Sequence, residues 1–244
     1  MESITIHNVT IPTTETTKFG FEFFSFRSPE MVREMECFIK YANGKKCLMD
    51  IGAGHGIFSL VFTELNPSGL SYCFEPDSNS FDVLKEVTGS NSRITSQKIA
   101  LSDVMGTITM KKSAGGYSAV ATFDWVKDEE FLSMVGDAIE TDFPIDIIKI
   151  DVEGAELKVL KGLKNKIPQT FPIIFIELHA YFLTEKMYLE LKEILDYWNY
   201  RIINTANDFP ISWNEIISTK EGEIRVILIH EPNRELYNRY MELK

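Results

Sequence analysis

No apolar run in this 244-residue chain approaches the roughly 20 residues that a bilayer crossing requires. Met1-Glu2-Ser3 is acidic and precedes no basic-then-apolar stretch, so no secretory signal is expected. Cysteine is scarce. Cys37, Cys47 and Cys73 are odd in number, widely spaced and without a CxxC pair, which argues against disulfides and a zinc site and fits the reduced thiols of a cytoplasmic protein. Positive charge is also short: 25 Lys plus Arg face 36 Asp plus Glu, a net charge of -11. Lys45-Lys46, Lys111-Lys112 and the Lys161–Lys166 stretch are brief and separate. A surface this acidic repels phosphate backbones and anionic lipid, so neither nucleic acid nor a membrane is an expected partner. Repeats, low-complexity tracts and a dividing linker are lacking. The ordinary 44% hydrophobic and 25% charged composition then points to a single domain over 1–244, with an N-terminal arm and helix (1–44), a core (45–230) and a C-terminal helix (231–244).

What is present is an alternation of short apolar strands with amphipathic helices. Strand-like runs occupy 46–51, 70–75, 94–101, 145–150, 173–178, 200–204 and 224–230. Near-continuous apolar runs suit strands covered on both faces. Between them, Phe81, Leu84 and Val87, then Leu157, Leu160 and Leu163, then Tyr188, Leu191, Leu195 and Trp198 recur at helical spacing. Val32, Met35, Ile39 and Ala42 make an earlier stripe, with Ser28 as N-cap, Pro29 at the first helical position and Asn43-Gly44 as the stop. The pattern predicts an α/β fold: a doubly wound, mostly parallel seven-stranded sheet with helices on both faces. Right-handed crossovers then place the strand C-terminal ends on one edge, where ligands bind. Residues 104–123 read as a β-hairpin insertion before the fourth strand, turning at Met105-Gly106.

The most informative run is Asp50-Ile51-Gly52-Ala53-Gly54-His55-Gly56, which ends one strand and opens a helix. Glycines let backbone approach a ligand closely, and the following helix aims free N–H groups at it. The dinucleotide pattern G-x-G-x-x-G fails because Ile57 occupies its last position. Glu75 ends the next strand 19 residues after Gly56, at the distance where a carboxylate can accept both hydroxyls of a ribose. Asp50 could face a cationic amino group.

Asp50-Ile51-Gly52-Ala53-Gly54, Phe74-Glu75-Pro76-Asp77, Ala100-Leu101-Ser102-Asp103 and Ile148–Glu156, in that order, resemble the motifs of FkbM-type methyltransferases, which have the class I S-adenosylmethionine (SAM)-dependent fold. The resemblance runs from about Lys46 to His179, and Ile148–Glu156 is its most specific part. It implies that Gly52, Ala53 and Gly54 line the methionine part of SAM and that Asp50 sits near its amino group. Glu75 would bind the ribose, Pro76 and Asp77 would flank the adenosine, and Ala100, Leu101 and Ser102 would lie along the adenine. The implied activity is O-methylation of a hydroxyl on a small molecule, sugar or secondary metabolite. Two rivals remain at this point: a module that keeps the SAM fold without turnover, and a nicotinamide-dependent oxidoreductase, against which the failed glycine spacing counts.

Methyl transfer from a sulfonium is an in-line displacement, in which a base assists by taking the acceptor's proton. Glu177 and His179 are two apart on a strand and so share a face. Asp151 and Glu153 share that relation if their strand reaches 153. The expected arrangement has Asp151 or His179 as base, with Glu153 and Glu177 orienting it or the substrate, and Glu156 capping the next helix. No metal is assigned, although Asp151, Glu177 and His179 offer an oxygen-plus-imidazole alternative. Tyr117-Ser118 and Thr122-Phe123-Asp124 could border the acceptor, or simply form a hairpin edge. Phe19, Phe21, Phe23, Phe24 and Phe26 could form a lid over it, or serve core packing or a homodimer contact.

Overall fold

The computed structural model describes residues 2–6, 8–13, 29–113, 125–219 and 222–231. The chain opens with a hairpin, β1 (Glu2–Ile6) and β2 (Val9–Thr13), followed by α1 (Pro29–Ala42). Strands and helices then alternate: β3 (Cys47–Ile51), α2 (Ile57–Leu65), β4 (Leu70–Phe74), α3 (Ser78–Thr88) and β5 (Ile94–Gln97). An excursion follows as β6 (Ala100–Ser102), β7 (Gly106–Ser113) and β8 (Trp125–Val135). The alternation resumes with β9 (Ile147–Ile150), α4 (Glu156–Gly162), the short α5 (Ile167–Thr170), β10 (Ile173–His179), α6 (Glu185–Tyr197), β11 (Tyr200–Asn204), α7 (Trp213–Ser218) and β12 (Glu223–His230). Ser28, the Phe19–Phe26 series, Tyr117, Ser118, Thr122, Phe123, Asp124 and a C-terminal helix all lie outside the described residues, except that 231 itself is described.

The seven-stranded sheet runs β11-β12-β10-β9-β3-β4-β5. Strands β10, β9, β3, β4 and β5 are parallel, and β12 is antiparallel to both of its neighbours. The expected doubly wound, mostly parallel sheet is therefore the one observed. The run 94–101 is not one strand, however. It leaves the main sheet after Gln97, and Ala100–Ser102 pairs instead with β8 in a separate three-stranded sheet, β6-β8-β7. An apolar run shows that a segment is buried but not which partner buries it. A hairpin does precede the fourth main strand as the β7–β8 pair, but Met105-Gly106 is not its turn: Gly106 opens β7 opposite Ser133 of β8, and the partner strand runs beyond 123, from Trp125 to Val135.

The pleat sorts the core into two layers. Met49, Ile51, Ile148, Ile150, Ile174 and Ile176 face α4, α6 and α7, where Leu157, Leu160, Leu191 and Leu195 cover them. Leu48, Ile147, Phe175, Ile227 and Ile229 face α1, α2, α3 and the N-terminal hairpin, where Phe38, Leu60, Phe62, Ile6 and Ile11 cover them. Phe38 and Phe175 meet edge to face at 5.4 Å. Each such fully buried ring contributes about 2–3 kcal/mol of transfer free energy. The same period of two puts Asp50, Lys149, Glu177 and Arg225 on the second face, because each alternates with the first-layer residues. Register aligns Asp50 with Lys149 and Glu177 with Arg225. Four ionisable side chains thus share this face near the edge where the parallel strands end and β12 begins, with Glu34 of α1 over Lys149 and Arg225.

Candidate functional site

Two adjoining clefts open along that edge. The first, about 310 Å³, includes Asp50, Gly52, Ala53, Gly54, Glu75, Lys149, Glu177 and Arg225 in its wall. The second, about 260 Å³, is lined by Glu75, Pro76, Ala100, Leu101, Ser102, Val152 and Phe182, among others. Gly52, Glu75, Asp151 and Glu153 line both, so the two spaces meet at these residues. Their joint size suits a ligand of nucleoside dimensions or larger.

The turn after β3 has an absolute need for glycine at its first position. Gly52 has φ +75°, and a Cβ there would lie 1.8 Å from the Asp151 carbonyl oxygen. The N–H groups of Gly52 and Ala53 are spent on the Phe74 carbonyl, fixing the turn against β4. The Gly54 N–H instead donates to Glu75 Oε2 at 2.9 Å, and the Asp77 N–H donates to Glu75 Oε1 at 2.9 Å. Glu75 is therefore held rigidly at the junction of the clefts, 6% exposed, with lone pairs left for a ligand. Burial pushes its carboxyl up to about 7, against the pull of those two amides.

Asp50 also lines the first cleft, but its Oδ2 accepts a 2.6 Å bond from Ser59, whose hydroxyl is in turn bonded with Ser71 and Cys73. Burial raises this carboxyl to about 6. Asp77 lines neither cleft. Its side chain accepts from the N–H groups of Asn79 and Ser80 as the N-cap of α3, while its backbone N–H holds Glu75.

At the tips of β9 and β10, Asp151, Glu153, Glu177 and His179 do converge. His179 Nε2 lies 3.4 Å from Glu153, 3.6 Å from Glu177 and 3.8 Å from Asp151. Glu177 and His179 reach this point by the pleat of β10, as expected. Asp151 and Glu153 do not, because β9 ends at Ile150. A turn with left-handed backbone at Glu153 (φ +51°) and Gly154 (φ +98°) brings Glu153 round instead. A Cβ on Gly154 would lie 2.6 Å from Phe182 Cβ, so the turn is packed as well as bent.

Glu156 does more than complement a helix end. Completely buried, it accepts from the Gly154 N–H at 2.9 Å and bonds His179 Nδ1 at 2.7 Å, which locks the imidazole. Burial opposes charge on His179, but Glu156, Asp151 and Glu153 outweigh it and raise the imidazole to about 10. Burial likewise lifts Glu153 to about 7, with His179 opposing.

Sequence reasoning missed a second set. Glu34 of α1, 4% exposed, sits 3.1 Å from Lys149 Nζ and 3.3 Å from Arg225 Nε. Arg225 also bonds Glu177 at 2.8 Å and Glu223 at 2.6 Å. Lys149 lies 5.0 Å from the Phe58 ring centroid and 3.7 Å from Asp151. A signal was present for two of these residues: Lys149 and Arg225 are isolated cations inside otherwise apolar strands.

The methyltransferase FkbM domain model matches residues 50–202. A 2-O-methyltransferase, NoeI, of Sinorhizobium fredii is 28% identical over 171 residues, 61% of this chain and 69% of that protein. A hexuronic acid methyltransferase, AglP, of Haloferax volcanii is 28% identical over 141 residues, 54% of this chain and 56% of that protein. The crystal structure of methyltransferase FkbM from Methylobacillus flagellatus superposes with a TM-score of 0.51 at 15% identity, covering 87% of this chain and 59% of that one. It shares the fold. The matched domain takes in the glycine turn, Glu75, Ala100–Ser102 and the whole His179 cluster, and it spans more than half of the sequence. The chain belongs to the FkbM methyltransferase family.

Proposed function

We propose that this methyltransferase binds SAM across the two clefts and transfers its methyl group to a hydroxyl of a small molecule, with a sugar or sugar acid as the favoured class. The observation that carries the reading is the rigid Glu75 carboxylate at the junction, beside the open turn at Gly52–Gly54 and within the space shared with Asp151 and Glu153. The adenine end takes the second cleft, along Ala100, Leu101 and Ser102, and the methionine end takes the first. The acceptor approaches from the His179 side, where Asp151, Glu153 and Glu177 receive its proton and orient it. The names of NoeI and AglP, which specify a 2-O position and a hexuronic acid, support a sugar-like acceptor. A net charge of -11 disfavours nucleic acid and anionic membranes as partners, and three free, buried cysteines suit a reducing, cytoplasmic setting. No helix among the described residues is long and apolar enough to cross a membrane. A homodimer belongs to the same proposal.

Titration calorimetry with S-adenosylhomocysteine, the demethylated donor, tests the donor half. Glu75→Ala should weaken binding by about 10- to 100-fold, the worth of hydrogen bonds to a charged acceptor. The pH dependence has a definite sign. Glu75 is ionised above about 7 and neutral below it, and the ribose hydroxyls donate to the ionised form. Affinity should therefore be full near pH 8 and fall as pH drops, by up to about tenfold per unit. An affinity that stays flat from pH 8 to pH 5.5 would remove Glu75 from the ribose site.

A further inference from the structure

We infer that Asp151, Glu177 and His179 form a binding site for a divalent cation of the manganese or magnesium type, next to the methyl-donor cleft. One oxygen from each carboxylate and one imidazole nitrogen lie within 4.8 Å of one another. Ligands about 2.1–2.3 Å from an octahedral ion stand roughly 3.0 Å apart when adjacent and 4.4 Å when opposite. The 3.6 Å and 3.8 Å separations from His179 Nε2 fall inside that range.

The independent observation is the histidine itself. His179 is 2% exposed, and its Nε2 makes no hydrogen bond although it points among three carboxylates. Its other nitrogen is tied to Glu156 at 2.7 Å, and Glu156 is anchored by the Gly154 amide. A metal-bound imidazole shows this arrangement, with the far nitrogen donating to a carboxylate and the near one carrying the ion, which displaces the Nε2 proton to solvent on binding. Mixed carboxylate and imidazole ligation with space for further oxygens suits a six-coordinate ion. Asp151, 35% exposed, faces the cleft and leaves an approach for an acceptor oxygen.

The role rests on the proposed methyl transfer. The ion takes the acceptor hydroxyl as a ligand and polarises it. The O–H proton passes to Glu153, the oxygen lone pair attacks the methyl carbon, and the C–S bond breaks with its electrons returning to sulfur as a neutral thioether. The acceptor class narrows accordingly to molecules with two adjacent oxygens, such as a vicinal diol or a 2-hydroxy acid, which can chelate the ion while presenting one hydroxyl to the methyl group.

The test uses the full chain, stripped with a chelator and free of donor. Titration with Mn²⁺, followed by loss of the free-ion electron paramagnetic resonance signal, should show one site per chain. Asp151→Asn and His179→Ala should each weaken it at least tenfold. Asp151→Asn is the safeguard, because its partly exposed side chain tolerates an isostere even if the histidine variant fails to fold. Absence of Mn²⁺ binding up to millimolar concentration, or equal binding in parent and Asp151→Asn, overturns the site. S-adenosylhomocysteine binding to the stripped protein is read separately. If it persists while Mn²⁺ fails to bind, only the cation site is lost. If Mn²⁺ binds and the donor does not, the site stands and the methyl-transfer reading falls.

Discussion

Gly52→Ala should abolish measurable S-adenosylhomocysteine binding and lower folding stability by about 3–5 kcal/mol. The added Cβ would stand 1.8 Å from the carbonyl oxygen of Asp151, a distance no rotamer can relieve because the backbone fixes the Cβ position and the oxygen is itself a backbone atom. The tips of β3 and β9 must separate, which threatens the Asp151 N–H to Ile51 carbonyl bond of 3.0 Å. Left-handed backbone at φ +75° adds about 1–2 kcal/mol for a residue with a side chain. Effects of this size are exceptional for a single methyl group. Chemical denaturation and calorimetry of the variant check both parts. A Gly52→Ala protein with parental stability and donor affinity would mean that the strand tips do not meet as described.

The second large effect is expected at Glu34. Glu34→Ala removes the closest counter-charge of Lys149, an ammonium 1% exposed, and one of the three carboxylates around Arg225. Burial opposes the charge on Lys149, and Glu34, Asp151 and Glu177 together hold the ammonium charged. Breaking a buried pair from one side costs about 3–5 kcal/mol, since the remaining ion is neither solvated nor fully neutralised. Removing the cation as well should recover much of that loss, so Glu34→Ala with Lys149→Met should be more stable than Glu34→Ala alone. Urea denaturation of the two single variants and the double variant gives the coupling energy directly. A Glu34→Ala loss below 1 kcal/mol, or no rescue by Lys149→Met, would show that α1 is held to the sheet by its apolar face alone.

How much of this was legible in the residues depends on the range of the interaction. The glycine turn, Glu75 and the Glu177–His179 pair could be read because each is a local pattern: a bend after a strand, a carboxylate one strand later, two side chains on one pleat. The Glu153 position was legible in outcome but not in cause. Its approach to His179 depends on left-handed backbone at 153 and 154, which a carboxylate in the sequence does not announce. Glu156 passed as a helix-end charge because its partner lies 23 residues away on a strand, β10. Glu34 was hidden for the same reason, more strongly. On α1 it looks like any acidic residue on a helix, and only the fold sets it over Lys149 and Arg225. The split of 94–101 between two sheets was unreadable because strand partners are decided by tertiary packing.

The first cleft has an unequal parentage. Its wall from Asp50 to Glu75 lies inside the matched domain, whereas Ile6, Met31, Glu34, Met35, Glu223 and Arg225 reach it from outside that domain at either extremity of the chain. Exchanging both extremities with those of a relative should therefore reshape the first cleft and leave the second unaltered, and the incoming Glu34 and Arg225 must remain matched to Lys149 of the middle segment.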